Sequence, residues 1–168
     1  MKEEIFDVVN EQDEVIGQKL RRLVHRDGDM HRAIHVLVFN ERGEIFLQKR
    51  SMLKDTFPGV WDSSASGHLD CGEDYDACAV RELREEIGLV ATVCPGRMFK
   101  ISARAETGQE FVWVYRCVHE GPFVLHLEEI ERGEWFAPEF VTQWISEKPG
   151  DFASAFVYIW RKLATEGK

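Results

Sequence analysis

Apolar and polar residues alternate along much of the chain, and this alternation predicts several strands before any chemistry is considered. The apolar runs at residues 5–9 and 14–20 flank a turn-like segment at 10–13 and predict an opening β-hairpin. The runs at 33–40 and 44–50 are rich in β-branched and aromatic residues. They predict two adjacent antiparallel strands.

Beyond residue 50 the pattern changes. Residues 51–73 are irregular, with a short strand expected near Trp61, whereas apolar side chains recur at helical spacing over 74–87. A second strand pair is predicted at 97–106 and 109–119.

The C-terminal part predicts a short strand near Gly133–Phe136 and two helices. Pro138 is expected to begin the first helix, and Asp151 is expected to cap the second. The inward face of the first helix is predicted to hold Phe140, Val141, Trp144 and Ile145. This order of elements predicts an α/β fold with one domain over residues 1–168, a mixed sheet between helical layers and an N-terminal β-hairpin extension.

Composition limits the classes of function. The chain has 168 residues, of which 44% are hydrophobic and 30% charged, and its formal charge is −9. The acidity argues against a nucleic-acid partner, which usually requires a basic face. The sequence has neither a signal-like start nor an apolar run of membrane-spanning length, so we expect a cytoplasmic protein with no membrane partner. The four cysteines form no C-x-x-C pair and are expected to be reduced.

One helix concentrates carboxylates. Glu82, Glu85 and Glu86 stand at positions i, i+3 and i+4, which places them on one face, predicted to be exposed and away from the apolar stripe. Crowded carboxylates repel one another unless a cation lies among them, and Mg²⁺ or Mn²⁺ with oxygen ligands suits such a site. Arg81 precedes Glu85 by four residues and is expected to orient it. Without further context, an ordinary solvated helix face is the alternative interpretation.

The surrounding residues provide that context. Residues 67–89 read GHLDCGEDYDACAVRELREEIGL and have the spacing G-x₅-E-x₇-R-E-L-x-E-E-x-G-L. This stretch resembles the signature of the Nudix hydrolases at every defined position. The resemblance implies a Nudix-type α/β/α sandwich and a metal-dependent hydrolase of diphosphate linkages. It also implies roles for particular residues: Glu82, Glu85, Glu86 and the Gly67 carbonyl as metal ligands, one carboxylate as the base that activates water, and Arg81 and Glu73 as orienting groups.

A second resemblance covers most of the first ninety residues. The segments VVNEQDEVIG, HRAIHVLVFNERGEIFLQKR and FPGVWDSSASGH are similar to those of isopentenyl diphosphate isomerases and their hydrolase relatives. The resemblance implies a further metal site at His25, His31 and His68. In those enzymes a later glutamate completes the site, and Glu129 is the best match here, with Glu131 as its neighbour. Glu129 is therefore a candidate base or extra ligand.

Three cations match the positions at which the isomerases bind diphosphate, namely Arg21, Arg50 and Lys54. Such a role is physically reasonable, because an anionic substrate that enters an acidic site needs counter-charges. Ordinary exposed cations are the alternative interpretation.

Three functions follow from these patterns. The first is a Mg²⁺- or Mn²⁺-dependent hydrolase that cleaves the diphosphate linkage of a nucleoside diphosphate derivative or a similar small metabolite. The second is an isopentenyl diphosphate isomerase, which is disfavoured because Ser66 stands where those enzymes have a catalytic cysteine, and serine is the weaker acid and nucleophile. The third is a non-catalytic sensor of diphosphate ligands. Exposed sheet edges would also permit a homodimer.

Overall fold

Within residues 3–166, the fold combines a two-stranded hairpin, a seven-stranded mixed sheet and four α-helices. The structure is a computed structural model and describes residues 3–166. The strands are β1 (Ile5–Val9), β2 (Val15–Leu20), β3 (His31–Phe39), β4 (Ile45–Arg50), β5 (Trp61–Asp62), β6 (Ala65–His68), β7 (Gly96–Ile101), β8 (Glu110–Val118) and β9 (Ile130–Phe136). The helices are α1 (Arg21–Asp27), α2 (Tyr75–Ile87), α3 (Pro138–Glu147) and α4 (Ser154–Glu166).

The main sheet has the order β5-β4-β3-β8-β7, with β6 paired to β3 and β9 paired to β4. β3 and β8 run parallel, and the other pairs are antiparallel. The predicted mixed sheet and the predicted opening hairpin, which is β1 with β2, are therefore confirmed. The parallel pair sets His31 opposite Glu110, a register that brings both side chains to one end of the sheet.

Side chains of β3 alternate between two hydrophobic cores, as the two-residue period of a strand requires. Leu37 and Phe39 pack on the side of α3 and α4, whereas Val36 and Val38 pack against α2. Helices therefore cover both faces of the sheet, and the predicted α/β/α sandwich is confirmed. Burial of one large aliphatic side chain such as Leu83 of α2 contributes roughly 1.5–3 kcal/mol.

A buried carboxylate joins the hairpin to the rest of the fold. Asp13 lies at the hairpin turn and accepts hydrogen bonds from Arg32 Nε (2.7 Å), Tyr75 Oη (2.7 Å) and Lys100 Nζ (2.6 Å). Burial raises the pKa of Asp13, but these three donors outweigh it and hold that pKa below its usual value. The hairpin is thus tied to β3, α2 and β7 at one point.

Some local expectations were wrong. Phe140 is 56% exposed rather than inward-facing, while Val141 and Ile145 of the same helix are buried as predicted. Asp151 lies in a 3₁₀ turn before α4 and accepts a hydrogen bond from Trp144 Nε1. Residues 102–106 leave the strand conformation, because β7 ends at Ile101 and a 3₁₀ turn follows.

All four cysteines are free thiols. Among residues 3–166, no helix combines the length and the apolar character needed to cross a membrane.

Candidate metal-binding active site

Helix α2 carries the predicted carboxylates and has well-defined ends. Its N-cap is Asp74, whose Oδ1 accepts a hydrogen bond from the Ala77 N–H at 2.7 Å. Gly88 ends the helix in the left-handed region at φ 69°, and its N–H donates to the Arg84 and Leu83 carbonyls. These caps place the three glutamates in the last two turns of α2.

The three glutamates do not share one exposed face. Glu85 is exposed, but the Glu86 residue is only 9% exposed and the Glu82 side chain 12%. The prediction that Glu86 lies on an exposed face was therefore wrong. The reason is tertiary: strands β4 and β6 cover that side of α2.

Glu82 and Glu86 form a buried pair of acids. Glu86 Oε1 accepts hydrogen bonds from Gln48 Nε2 at 2.8 Å and from the Ser66 N–H at 3.2 Å. Burial, followed by the neighbouring Glu82 carboxylate, raises the pKa of Glu86 well above its ordinary value. Burial also raises the pKa of Glu82. Two acids in this position attract a cation, which would allow both to ionise.

Gly67 of β6 lies directly against Glu82. A Cβ at this position would come within 2.5 Å of Glu82 Oε1, so a larger residue would displace the carboxylate. The predicted ligand Gly67 and the predicted ligand Glu82 are thus adjacent in the structure. This close approach explains on physical grounds why the loop begins with glycine.

Arg81 holds the loop before α2 to the helix. Its guanidinium donates to both Glu73 oxygens (2.8 and 2.9 Å) and to the His68 carbonyl (3.1 Å). It also donates to Glu82 Oε1 at 2.7 Å and to Glu85 Oε2 at 3.0 Å. The side chain is 20% exposed. The hydrogen bonds that Arg81 donates to the Glu73 carboxylate raise the pKa of Arg81 above its ordinary value. These contacts are the ones that the orienting role of Arg81 and Glu73 would need, and that role stays a prediction.

A second cluster of possible ligands contains His25, His31, His68 and Glu110, with one ligand atom from each lying within 4.8 Å of the others. The three predicted histidines are therefore brought together. The glutamate that joins them is Glu110 of β8, whereas Glu129 lies elsewhere and pairs with Lys54. Sequence reasoning missed Glu110, because its position depends on the parallel pairing of β3 with β8.

His31 has the hydrogen-bond pattern of a metal-binding histidine, whereas His68 Nε2 lies 2.6 Å from Glu110 Oε2. His31 Nδ1 lies 2.9 Å from the Asp29 carbonyl, which only accepts, so this nitrogen carries a proton. His31 Nε2 is left buried with no hydrogen-bond partner among the described residues, 3.3 Å from Glu110 Oε2. A lone pair on Nε2 that faces other ligands is the arrangement that metal-binding histidines use.

Electrostatics within the cluster are consistent with this pattern. Burial, together with the neighbouring His68 and His31 rings, lowers the pKa of His25 to about 4. Burial would raise the pKa of Glu110, but the His68 and His31 rings attract its carboxylate when they carry protons, and this outweighs burial and holds that pKa below its ordinary value. A largely neutral His25 and an ionised Glu110 are the ligand forms that a divalent cation requires.

The predicted substrate-binding cations are paired within the protein. Arg50 donates to Asp62 Oδ2 and to the Thr56 and Phe57 carbonyls, which fixes the loop after β4. Lys54 pairs with Glu129. The remaining cation, Arg21, contacts Asp55 at 3.2 Å. Their roles toward a substrate stay predictions.

Ser66 lies on β6 directly opposite His35 of β3. His35 is buried, with Nδ1 2.8 Å from Ser63 Oγ, which agrees with a structural role for this residue. Burial lowers the pKa of His35, so the ring is neutral near neutral pH.

Fold and site together define a class of protein, namely an α/β/α domain whose central helix supplies buried carboxylates beside a glycine of the sheet. A family model described as the NUDIX domain matches residues 29–156. The chain is also 33% identical to the Nudix hydrolase YfcD of Escherichia coli K12, over 95% of this chain and 87% of that protein. The chain belongs to the Nudix family and is a hydrolase of phosphoric anhydrides.

Solved structures agree with this assignment. The crystal structure of DR0079 from Deinococcus radiodurans superposes with a TM-score of 0.83 at 27% identity, covering 95% of this chain and 98% of that one. The NUDIX domain of Shewanella oneidensis NrtR, in complex with ADP ribose, superposes with a TM-score of 0.60 at 16% identity, covering 81% and 87%. That second likeness concerns the fold alone. Arg21 and His25 lie outside the residues matched by the family model.

Proposed function

We propose that the protein uses Mg²⁺ or Mn²⁺ to hydrolyse the diphosphate linkage of a nucleoside diphosphate derivative or a similar small metabolite. The observation that carries this proposal is the buried Glu82–Glu86 pair, which has raised pKa values and lies against Gly67. Burial of two neighbouring acids is costly, and a divalent cation offsets that cost.

The residues that would hold the cation are Glu82, Glu85, Glu86 and the Gly67 carbonyl. They fit a hard cation because all their donors are oxygens and because the glycine leaves room for the Glu82 carboxylate. A bound divalent cation would neutralise charge on the diphosphate and favour ionisation of water. Arg81 keeps Glu82 and Glu85 oriented toward this point.

The chain's own groups then act on the substrate. A carboxylate of this set, or Glu129, accepts the proton of the attacking water. The water oxygen forms a new bond to phosphorus as the P–O anhydride bond breaks. The bridging oxygen and its electron pair leave with one phosphate-bearing product, and the second product carries the oxygen of the water. Counter-charge for the diphosphate comes from Lys54, Arg50 and Arg21. Lys54 leaves its ion pair with Glu129 and pairs with a phosphate oxygen instead.

A domain of the same fold, the Shewanella structure, is found in complex with ADP ribose, which belongs to the substrate class proposed here.

The histidine cluster favours a second candidate function. His25, His31, His68 and Glu110 would hold a second cation, and the set of imidazoles with one carboxylate suits Mn²⁺ or another transition metal. The three histidines are those implied by the resemblance to isopentenyl diphosphate isomerases, although the glutamate beside them is Glu110 and not Glu129, and that activity is therefore the alternative. Ser66 in place of cysteine argues against it, since protonation of a double bond needs an acid.

A panel assay tests both functions. The protein is incubated with Mg²⁺ or Mn²⁺, nucleotide-linked diphosphates and isopentenyl diphosphate, and products are separated. We expect monophosphate or phosphate to be released only with metal. Dimethylallyl diphosphate formed without phosphate release would establish the alternative.

A matched pair of variants assigns the activity to the carboxylate helix. Glu86→Gln should lower turnover by orders of magnitude while the fold is retained. Glu139→Gln changes an exposed glutamate on α3 and should leave turnover unaltered. Equal turnover of Glu86→Gln and wild type would refute the assignment.

A further inference from the structure

Gln48 of β4 is a buried amide beside the carboxylate helix, and none of the predicted roles uses it. The residue is 3% exposed. Its Nε2 donates to Glu86 Oε1 at 2.8 Å and to the Ser64 carbonyl at 3.2 Å. Both partners are acceptors, so the amide nitrogen must face them, and both of its hydrogens are used. The orientation of the amide is thereby fixed.

The strand that carries Gln48 is held on both sides. Gln48 is opposite Asp62 of β5 and Gly133 of β9, so its backbone belongs to the interior of the sheet. A donor on such a strand is positioned more precisely than a donor on a loop. Its acceptor, Glu86, is anchored in turn through its backbone carbonyl, which accepts from the His126 N–H at 2.9 Å.

Two donors converge on one oxygen of Glu86. Oε1 accepts from Gln48 Nε2 and also from the Ser66 N–H at 3.2 Å. A carboxylate held in this way at one oxygen cannot rotate freely, and its other oxygen, Oε2, is left for Glu82 and a shared cation. Without Gln48, only the longer Ser66 contact would hold Oε1.

We propose that Gln48 is a positioning residue that fixes the Glu86 carboxylate in the orientation needed to bind the divalent cation. This inference rests on the proposed function, since it assumes that Glu86 is a ligand. In this role Gln48 would act through Glu86 and would not itself contact the cation or the substrate. Mutation of a residue that hydrogen-bonds a metal ligand typically lowers metal affinity by about tenfold to a hundredfold.

Gln48→Met tests the proposal, because methionine has a similar length and no N–H donor. The main measurement is Mn²⁺ binding, followed by electron paramagnetic resonance. Only Mn²⁺ that wild type binds and Glu86→Gln does not bind is assigned to the carboxylate site. We expect this binding to weaken by about tenfold to a hundredfold in Gln48→Met. The Mg²⁺ concentration for half-maximal turnover should rise in proportion, and excess Mg²⁺ should restore most of kcat with an unchanged KM for substrate.

Ile159→Val is the control for lost stability alone, since Ile159 is fully buried in the core on the opposite side of the sheet. It should leave Mn²⁺ affinity unchanged even where its thermal midpoint falls as far as that of Gln48→Met. Unchanged Mn²⁺ affinity in Gln48→Met, or a loss of kcat that excess Mg²⁺ does not restore, would overturn the positioning role. If wild type and Glu86→Gln bind the same amount of Mn²⁺, the proposed function is refuted instead.

Discussion

Replacing Arg81 with methionine removes the cation shared by helix α2 and the loop that precedes it. Arg81 makes paired hydrogen bonds to Glu73 and single ones to Glu82 and Glu85. Methionine retains much of the aliphatic volume, so the change mainly deletes charge and donors. The Glu73 and Glu82 side chains, at 15% and 12% exposure, would then lack their main counter-charge.

The size of the effect follows from this burial. Removing one partner of a buried ion pair costs about 3–5 kcal/mol, whereas exposed pairs contribute about 0–1 kcal/mol. Glu85 is 48% exposed and adds little. Glu82, whose pKa is already raised, relieves part of the cost by binding a proton. We therefore expect the free energy of unfolding of the metal-free protein to fall by about 3 kcal/mol.

Urea denaturation in the presence of a chelator measures this loss. The matched control is Arg22→Met, because the Arg22–Glu3 pair is 65% and 57% exposed and should contribute less than about 1 kcal/mol. Added Mg²⁺ should recover part of the loss in Arg81→Met and none in the control, because the cation replaces the missing charge near Glu82. A loss in Arg81→Met no larger than in the control would refute the reasoning.

Three further predictions concern the site. Gly67→Ala should displace the Glu82 carboxylate, because Glu82 Oε1 lies 2.5 Å from the new Cβ, and should weaken metal activation at least about tenfold. Gly150→Ala is the control and should leave metal activation unchanged, because nothing lies within 4 Å of its Cβ. In metal-free protein the raised pKa of Glu86 means that the folded state binds more protons, so wild type should lose stability relative to Glu86→Gln as pH rises above 4.5. Urea curves with the same pH dependence in both proteins would contradict this. The pKa of His25 is lowered to about 4 in the folded state, so the unfolded state binds more protons and the protein should lose stability as pH falls below 6.5. Nuclear magnetic resonance titration should place the midpoint of His25 near 4 rather than 6.5.

Much of the fold was predictable because local patterns are strong here. Alternation at 33–40 and helical spacing at 74–87 identified β3 and α2 to within a few residues, and Asp74 and Gly88 are ordinary helix caps. The signature from Gly67 to Leu89 predicted the family, and the match of the NUDIX domain model to residues 29–156 confirmed it. The roles of the individual site residues stay predictions until the variants are measured.

What the sequence by itself determined are the relations between residues close along the chain. The i, i+3 and i+4 spacing of Glu82, Glu85 and Glu86 fixes their angular positions on a helix, whatever surrounds it. Spacing does not determine which strands pack against that helix, so the burial of Glu86 was not predictable from it.

Only the tertiary structure decided the long-range contacts. Glu110 joins the histidines because β8 runs parallel to β3, and Gln48 reaches Glu86 because β4 lies under the end of α2. Pairing partners and register in a sheet are set by the packing of the whole domain, since any strand with the right alternation satisfies the local pattern equally well.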